Sequence, residues 1–172
     1  MPPGGKICRP GGREVFPALR ILVVSDTHRD RGALLRAVLR HPEAGVVIHL
    51  GDGAEEAAEM GRRFPKKRFL QVRGNCDWGS TLPDEGLATL AGRRIFYTHG
   101  HIYRVKYSLE EAKSAARQHK ADVLLFGHTH VPLTAYENGL YLMNPGSLQG
   151  HGGTYGTLDI TPAGIVTNIV KI

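Results

Sequence analysis

Short apolar runs alternate with helical segments in the first half of the chain, and each run stops at a polar turn. Three such runs lie at 19–24, 46–50 and 69–72. Runs of this length, closed by polar turns, predict strands buried on both faces of a parallel sheet. The segments after Asp30 and from Ala54 to about Arg63 show helical spacing, with Asp30 placed to cap the first. The order β-α-β-α-β therefore predicts an α/β domain with right-handed crossovers.

The second half of the chain is richer in predicted strands. They lie at 87–90, 94–98, 122–126, 133–136, 140–143, 157–160 and 165–172. A helix is predicted over 108–119, with Ser108 as its cap. Asn138-Gly139 is typical of a tight hairpin turn between two of the strands. Because no linker or internal repeat interrupts the pattern, a single domain is predicted over 19–172.

Composition places the chain among ordinary globular proteins. Hydrophobic residues make up 41% of the 172 residues and charged residues 22%, which argues against disorder. No apolar run approaches the ~20 residues of a membrane span, so no membrane association is expected. Residues 1–18 are rich in proline and glycine and predict a flexible tail. The chain has two cysteines, Cys8 and Cys76, which are too few for a fold stabilised by disulfide bonds. Reduced thiols and a cytoplasmic location are therefore expected.

The net charge of +6 suits an anionic ligand. The densest basic cluster lies at 62–68 and is interpreted as a solvated helix end followed by a loop. A nucleic-acid surface would also need aromatic residues interleaved with the basic ones for stacking, and the chain lacks that pattern. Nucleic-acid binding is therefore disfavoured.

Polar residues that can bind metals follow five of the predicted strands. They are Asp26, His28, Asp52, Asn75, His99, His128 and His130. Because ligands of open α/β sheets bind beyond the carboxyl ends of the strands, all seven can converge on one rim. Each short motif alone is weak evidence, since an Asp-X-His or a Gly-Asp is common by chance. Their conjunction at successive strand ends is a strong signal.

The residue types at these positions suggest two metal ions. Carboxylate and amide oxygens combined with imidazole nitrogens suit Mn, Fe, Co, Ni or Zn better than Ca or a cysteine-rich structural Zn site. Seven ligands are too many for one tetrahedral metal. They suit two metals that share a carboxylate and lie roughly 3.5–4 Å apart, an arrangement that activates water and clamps a phosphoryl oxygen.

The motifs around these residues resemble those of the calcineurin-like metallophosphoesterases. They read Ser25-Asp26-Thr27-His28, Gly51-Asp52, Gly74-Asn75-Cys76-Asp77, His99-Gly100-His101 and Gly127-His128-Thr129-His130. The chain looks most like the small single-domain phosphodiesterase branch, the YfcE-like proteins. The resemblance covers roughly residue 19 to the C-terminus. It implies two mixed β-sheets packed as a sandwich and flanked by helices.

The resemblance also implies roles for individual residues. One metal would be held by Asp26, His28 and His130, and the other by Asn75, His99 and His128, with Asp52 as the bridging ligand. A metal-bridging hydroxide would attack phosphorus in line with the leaving oxygen, and Asn75 would also contact the phosphate. Manganese is the first expectation for the metal, with Fe, Ni, Co or Zn as alternatives. The expected substrate is a small phosphodiester or nucleotide-like molecule, and a homodimer is a further expectation.

The proton donor for the leaving group stays open at this stage. Many members of the family carry a histidine after the motif asparagine, whereas this chain has Cys76. A neutral thiol is a weaker candidate acid, and a small buried hydrophobe is an equal alternative interpretation. His101 is a candidate substrate contact. The alternative functions are a phosphomonoesterase, including a protein phosphatase, and a protein-binding scaffold, because a eukaryotic retromer subunit resembles this branch.

Other conspicuous residues receive structural interpretations. His49 lies inside a predicted strand and is interpreted as a hydrogen-bonded core histidine. His41 and His119 fall at helix C-termini, where an imidazolium suits the helix dipole. Trp78 follows the third ligand motif and is expected to pack, to wall the pocket or to stack on a base.

Overall fold

The computed structural model describes residues 16–172 and contains ten strands, three α-helices and one short 3-10 helix. The strands are β1 Leu19–Val24, β2 Val46–His49, β3 Arg68–Gln71, β4 Glu85–Leu90, β5 Arg93–Thr98, β6 Val123–Phe126, β7 Leu133–Glu137, β8 Leu140–Asn144, β9 Thr154–Thr161 and β10 Gly164–Lys171. The helices are α1 Arg31–Arg40, α2 Ala54–Arg63 and α3 Glu110–Gln118, with the 3-10 helix at His101–Tyr103.

The strands form two five-stranded mixed sheets. The first has the order β10-β9-β1-β2-β3, and the second has the order β4-β5-β6-β8-β7. Strands β1, β2 and β3 are parallel to each other, as are β5, β6 and β8. The remaining strands pair antiparallel at the sheet margins. The predicted α/β class and the two-sheet sandwich are both confirmed.

Strand β1 shows why its sequence is apolar from Ile21 to Val24. Ile21 and Val23 point into the core between the two sheets, whereas Leu22 and Val24 pack under α1 and α2. From Ile21 onward both alternating faces of the strand are buried, so this part carries no polar residue, whereas Arg20 lies in the partly buried first part of the strand. A third cluster, around Phe96 and Leu124, packs α3 on the outer face of the second sheet. The sheets are thus held together by a central core and flanked by helices.

The helix boundaries follow local capping chemistry. Asp30 caps α1, because its side chain accepts a 2.9 Å hydrogen bond from the Ala33 N–H. The prediction of Ser108 as the cap of α3 was wrong, since Leu109 occupies that position. Ser108 lies one residue earlier, where its hydroxyl accepts a hydrogen bond from the Glu110 N–H. The hairpin turn was predicted correctly, with φ of 49° at Asn138 and 84° at Gly139.

Strand β9 is longer than its sequence pattern indicated. It begins at Thr154 rather than near 157, because its first residues pair with β10 and Gly156 lies opposite Val23 of β1. Residues 1–15 of the predicted tail, including Cys8, lie outside the described residues. Of the helices in the described part of the chain, none has the length and apolar character that a membrane span requires.

Candidate metal centre

The seven candidate ligands lie together at the carboxyl ends of strands from both sheets. In the first sheet, Asp26 and His28 follow β1, Asp52 follows β2 and Asn75 follows β3. In the second sheet, His99 follows β5, and His128 and His130 follow β6. The packing of the two sheets brings these strand ends to one rim, as the sequence pattern predicted.

Asp26, His28 and His130 form the first ligand group. The carboxylate of Asp26 is fully buried, and its Oδ1 lies 3.0 Å from His130 Nε2 and 3.7 Å from His28 Nε2. The Nε2 atoms of the two histidines lie 3.2 Å apart. The other oxygen of Asp26 accepts hydrogen bonds from the Ser25 hydroxyl and the His128 N–H, so the carboxylate has a fixed orientation.

Asn75, His99 and His128 form the second ligand group. His99 is fully buried, and its Nε2 lies 3.1 Å from Asn75 Oδ1 and 3.2 Å from His128 Nδ1. Burial, together with the neighbouring His99, lowers the pKa of His128 to about 4. The His128 imidazole is therefore neutral near pH 7, which is the form that binds a metal.

Asp52 lies between the two groups. Its Oδ2 is 3.5 Å from His99 Nε2 and 3.9 Å from His28 Nε2. Its Oδ1 accepts a 2.7 Å hydrogen bond from the Cys76 N–H, which fixes the plane of the carboxylate. One carboxylate oxygen therefore faces a nitrogen ligand from each group.

The tautomer of His99 shows that this donor set suits a cation. His99 Nδ1 lies 2.7 Å from the carbonyl oxygen of Leu50, and a carbonyl can only accept, so the ring proton is on Nδ1. In the neutral form of the ring, Nε2 then carries the lone pair, and it lies 3.1 Å from the Asn75 oxygen and 3.5 Å from Asp52 Oδ2. Electron-rich atoms this close to one another are compatible with a cation bound between them. A carbonyl behind a metal-binding histidine is also a common outer contact of metal sites.

The backbone at this rim is strained. Five of the seven candidate ligands have positive φ: Asp26 at 53°, His28 at 42°, Asp52 at 55°, His128 at 66° and His130 at 61°. Non-glycine residues rarely adopt this conformation, and it costs free energy that the surrounding structure has to offset. Such strain clusters at functional sites, where it directs side chains toward one point.

Asp77 anchors the loops beneath the ligands. Its carboxylate accepts hydrogen bonds from the N–H groups of Asp52, Gly53, Ala54 and Gly74, at 2.7–3.0 Å. Burial alone would raise the pKa of Asp77, but these four donors outweigh it and hold the pKa below 3.8. The sequence analysis did not find this role, because Asp77 caps α2 from a distant loop and not from the position before the helix.

A buried polar network supports the other side of the rim. His49 Nδ1 accepts from the Gly51 N–H, so its Nε2 carries the proton and faces the Thr27 hydroxyl at 3.1 Å. Thr27 in turn donates to the buried carboxylate of Glu56, also at 3.1 Å. The interpretation of His49 as a hydrogen-bonded core histidine is therefore confirmed.

Cys76 and Trp78 do not pack into the core. Cys76 is exposed, so its interpretation as a small buried hydrophobe was wrong. Partial burial and the nearby Asp52 raise the pKa of its thiol, which keeps its proton at neutral pH. Trp78 is 91% exposed, so the interpretation of a packed side chain was wrong as well. The tertiary structure leaves both side chains available beside the candidate metal centre.

His101 lies next to the second ligand group. Its ring centroid is 5.4 Å from that of His99 and 6.2 Å from that of His128. Its Nε2 lies 3.8 Å from the Asp84 carboxylate, which pairs with Arg73. Burial, together with His99, lowers the pKa of His101. The structure thus brings His101 close to two of the seven candidate ligands, His99 and His128.

A family model described as the calcineurin-like phosphoesterase superfamily domain matches residues 19–162. The chain belongs to this superfamily. The probable metallophosphoesterase YsnB of Bacillus subtilis is 34% identical over 133 residues, which cover 76% of each protein. The phosphodiesterase YfcE of Escherichia coli is 28% identical over 169 residues, which cover 82% of this chain and 88% of YfcE.

A eukaryotic sorting protein and a solved bacterial structure are also similar to this chain. Vacuolar protein sorting-associated protein 29 of Schizosaccharomyces pombe is 34% identical over 136 residues, which cover 76% of this chain and 72% of that protein. The crystal structure of a predicted phosphoesterase from Streptococcus pneumoniae has a TM-score of 0.77 at 24% identity and covers 90% of each chain. Its likeness supports the calcineurin-like phosphoesterase fold. The chain is thus similar both to proteins named as phosphoesterases and to a protein named for vacuolar sorting.

Proposed function

We propose that this chain is a dinuclear metal-dependent phosphodiesterase. The observation that carries the proposal is the position of Asp52, whose Oδ2 faces His99 of one ligand group and His28 of the other. A carboxylate shared in this way is what two adjacent metal ions require. Two bound divalent cations would supply the attacking oxygen by lowering the pKa of a coordinated water, and would neutralise charge on the phosphate.

The ligand residues act here by preorganisation. The His99 tautomer, fixed by the Leu50 carbonyl, keeps the Nε2 lone pair directed into the site without rearrangement. The Cys76 N–H and the Asp77 carboxylate hold Asp52 from two sides. Manganese is the proposed metal, with Fe, Ni, Co and Zn as alternatives that the same oxygen and nitrogen ligands accommodate.

Asn75 has a second proposed role in binding the phosphate. Its Oδ1 lies in the second ligand group, and its Nδ2 donates a hydrogen bond to the Cys76 sulfur at 3.3 Å. A small rotation of this exposed side chain directs the same amide hydrogens toward a phosphate oxygen. Neutral amide donors stabilise negative charge that develops on the phosphoryl oxygens in the transition state.

Hydrolysis breaks the bond between phosphorus and the leaving oxygen, forms a bond to a water oxygen, and requires a proton for the departing alkoxide. Cys76 is the proposed donor, because its raised pKa leaves the thiol protonated and its side chain is exposed beside Asp52. His101 is the proposed substrate contact at the second ligand group. A thiol is a weaker acid than imidazolium, so Cys76 favours substrates whose leaving group needs little protonation.

A preference for diesters over monoesters is also proposed. It is supported by the name of YfcE as a phosphodiesterase and by the cysteine at the position where many family members carry histidine. A phosphomonoesterase is the alternative within the same chemistry, and turnover of matched esters separates the two.

A protein-binding scaffold is the alternative from another class. The similarity to a protein named for vacuolar sorting favours it. The complete set of seven candidate ligands favours catalysis, because a scaffold does not need to keep a strained metal centre.

The test is hydrolysis of bis-para-nitrophenyl phosphate and para-nitrophenyl phosphate by metal-stripped protein, to which Mn, Fe, Ni, Co, Zn or Mg is added singly. Metal-dependent diester turnover that disappears in Asp52→Asn is the expected result. The matched control is Asp159→Asn, which removes a carboxylate paired with Arg20 at the opposite end of β1. Faster monoester turnover would replace the proposal with a phosphatase. Metal binding without turnover of either ester would favour the scaffold.

A further inference from the structure

A cavity of about 730 Å³ opens from the candidate metal centre toward α2 and the loop that follows Asn75. His28, Asp52 and Cys76 line it at the metal centre, and Trp78 lies in its wall together with residues 79–82. This volume is within the range of pockets that hold small molecules. A phosphoester bound at the metal centre would therefore place one substituent in this cavity.

Trp78 presents an aromatic surface to the cavity. It is the single tryptophan of the chain, and its side chain is 91% exposed. The backbone beneath it is held in place, because the Asp77 carboxylate accepts four backbone hydrogen bonds and the Ser80 N–H donates to the Asp77 carbonyl. An indole on a fixed loop is a suitable surface for stacking a planar aromatic group.

Acidic residues outnumber lysine and arginine among the residues that line the cavity. Glu55, Glu56 and Asp77 are lining residues, and Arg29 is the basic residue beside them. The carboxylates of Glu56 and Asp77 already accept hydrogen bonds from within the protein. Gln71 also lines the cavity, and among the described residues its buried Oε1 has no hydrogen-bond partner. An acceptor left unpaired in this way is costly. Because this oxygen is buried, a turn of the side-chain amide has to bring it to the cavity before a donor on a bound ligand can remove the cost. The wall therefore disfavours a second phosphate or a carboxylate and favours an uncharged aromatic group that carries N–H donors.

We propose that the cavity binds the base of a nucleoside that carries an exocyclic amino group, with the base stacked on Trp78. The amino group donates to Gln71 Oε1 after a turn of the side-chain amide, and the phosphate of the same molecule lies at the metal centre. The substrate class is then a nucleotide phosphodiester. This inference rests on the proposed phosphodiesterase function and assigns the substituent that the site recognises.

The activity test compares three para-nitrophenyl diesters: those of adenylate, inosinate and methyl phosphate. The adenylate ester should have the highest kcat/KM, since the inosinate base replaces the amino donor with a carbonyl. Because base–aromatic stacking contributes about 1–3 kcal/mol, Trp78→Ala should lower kcat/KM for the adenylate ester by about 5- to 150-fold. The ratio of adenylate to methyl ester should fall toward one. Gln71→Leu should remove the preference for adenylate over inosinate.

Tyr107→Ala is the matched control, because Tyr107 is also 91% exposed and does not line the cavity. Tyr107→Ala should leave the kcat/KM ratios of the adenylate ester to the methyl ester and to the inosinate ester unchanged. Equal kcat/KM for the adenylate and methyl esters in the unmodified protein would overturn the inference. So would an equal loss on both esters in Trp78→Ala.

A binding measurement separates failure of this inference from failure of the phosphodiesterase proposal. Adenosine monophosphate should quench the fluorescence of Trp78, the single tryptophan, in the metal-loaded protein, and ribose phosphate should not. Quenching by adenosine monophosphate without turnover of the methyl ester would support the nucleoside pocket and contradict the proposed hydrolytic function. Turnover of the methyl ester without quenching by adenosine monophosphate would contradict the nucleoside pocket and support the proposed hydrolytic function.

Discussion

The carboxylate of Asp77 accepts a 2.8 Å hydrogen bond from the backbone N–H of Asp52. Asp77 thereby holds the loop that presents the central carboxylate of the candidate metal centre. The same side chain binds the N–H groups of Gly53 and Ala54, at the beginning of α2. One carboxylate therefore links the ligand loop to a helix dipole that favours negative charge.

Asp77→Asn should lower the free energy of unfolding by about 2 kcal/mol at pH 7, because an amide offers one acceptor oxygen where the carboxylate offers two. The pKa of Asp77 is lowered in the folded state, so its stabilisation is present above the unfolded value of about 3.9 and is lost as pH falls through the folded value. Urea denaturation should therefore show that the difference in free energy of unfolding between Asp77→Asn and the unmodified protein becomes smaller below about pH 4.

The control for this measurement is Glu59→Gln, which removes an exposed ion pair between Glu59 of α2 and Arg31 of α1. It should change stability by less than about 1 kcal/mol, because such pairs contribute little. A gap for Asp77→Asn that stays constant from pH 7 to pH 3 would contradict the assigned role.

Gly74→Ala should disrupt the candidate metal centre. A Cβ at this position would lie 2.0 Å from Asp52 Oδ1 and 2.5 Å from the Asp52 nitrogen, so the ligand loop would have to move. Diester turnover should fall at least about 100-fold, since changes to groups that only hold metal ligands in place cost about 10–100-fold. The matched control is Gly45→Ala, where a Cβ meets nothing within 4 Å. Similar activities for the two variants would show that the close approach of Gly74 to Asp52 is unimportant.

Metal addition should stabilise the protein. At a metal concentration about 100 times the Kd, linkage adds about 2.7 kcal/mol, which corresponds to a rise in Tm of roughly 5–10 °C for a domain of this size. Asp52→Asn should lose most of this rise, because its oxygen faces both ligand groups. Thermal denaturation with and without Mn or Zn measures the effect, and Asp159→Asn serves as the control. An undiminished rise in Asp52→Asn would remove this residue from the metal centre.

Lys120→Gly should raise stability by about 1 kcal/mol, or a Tm increase of roughly 2–4 °C. Lys120 follows α3 and has a left-handed φ of 52°. The Ala121 N–H donates to the Ala116 carbonyl, which is the Schellman pattern at a helix C-terminus, and glycine usually occupies the left-handed position of that pattern. Lys120→Ala retains the left-handed strain and should give no comparable gain. Differential scanning calorimetry separates the two variants, and equal Tm values for both would argue against strain at this position.

Much of the candidate site could be predicted from local sequence. Asp26, Asp52 and His128 each follow an apolar strand, and strand ends are set by short-range pattern and turn residues. The topological rule for parallel sheets then places these residues at one rim. The length of β9 was predicted less well, because it depends on pairing with β1 and β10. The start of α3 was predicted one residue early, since Leu109 and not Ser108 occupies the cap position.

The sequence by itself thus determined the α/β class, the order of the elements and the chemical identity of the seven candidate ligands. These properties follow from periodicity and residue type, which are local. Only the tertiary structure decided that Asp77 would cap α2 from a distant loop, that Asp52 would face both ligand groups, and that Trp78 would stay exposed beside a cavity. Each of these outcomes depends on how the two sheets and their loops pack, and contacts between residues far apart in sequence leave no local pattern.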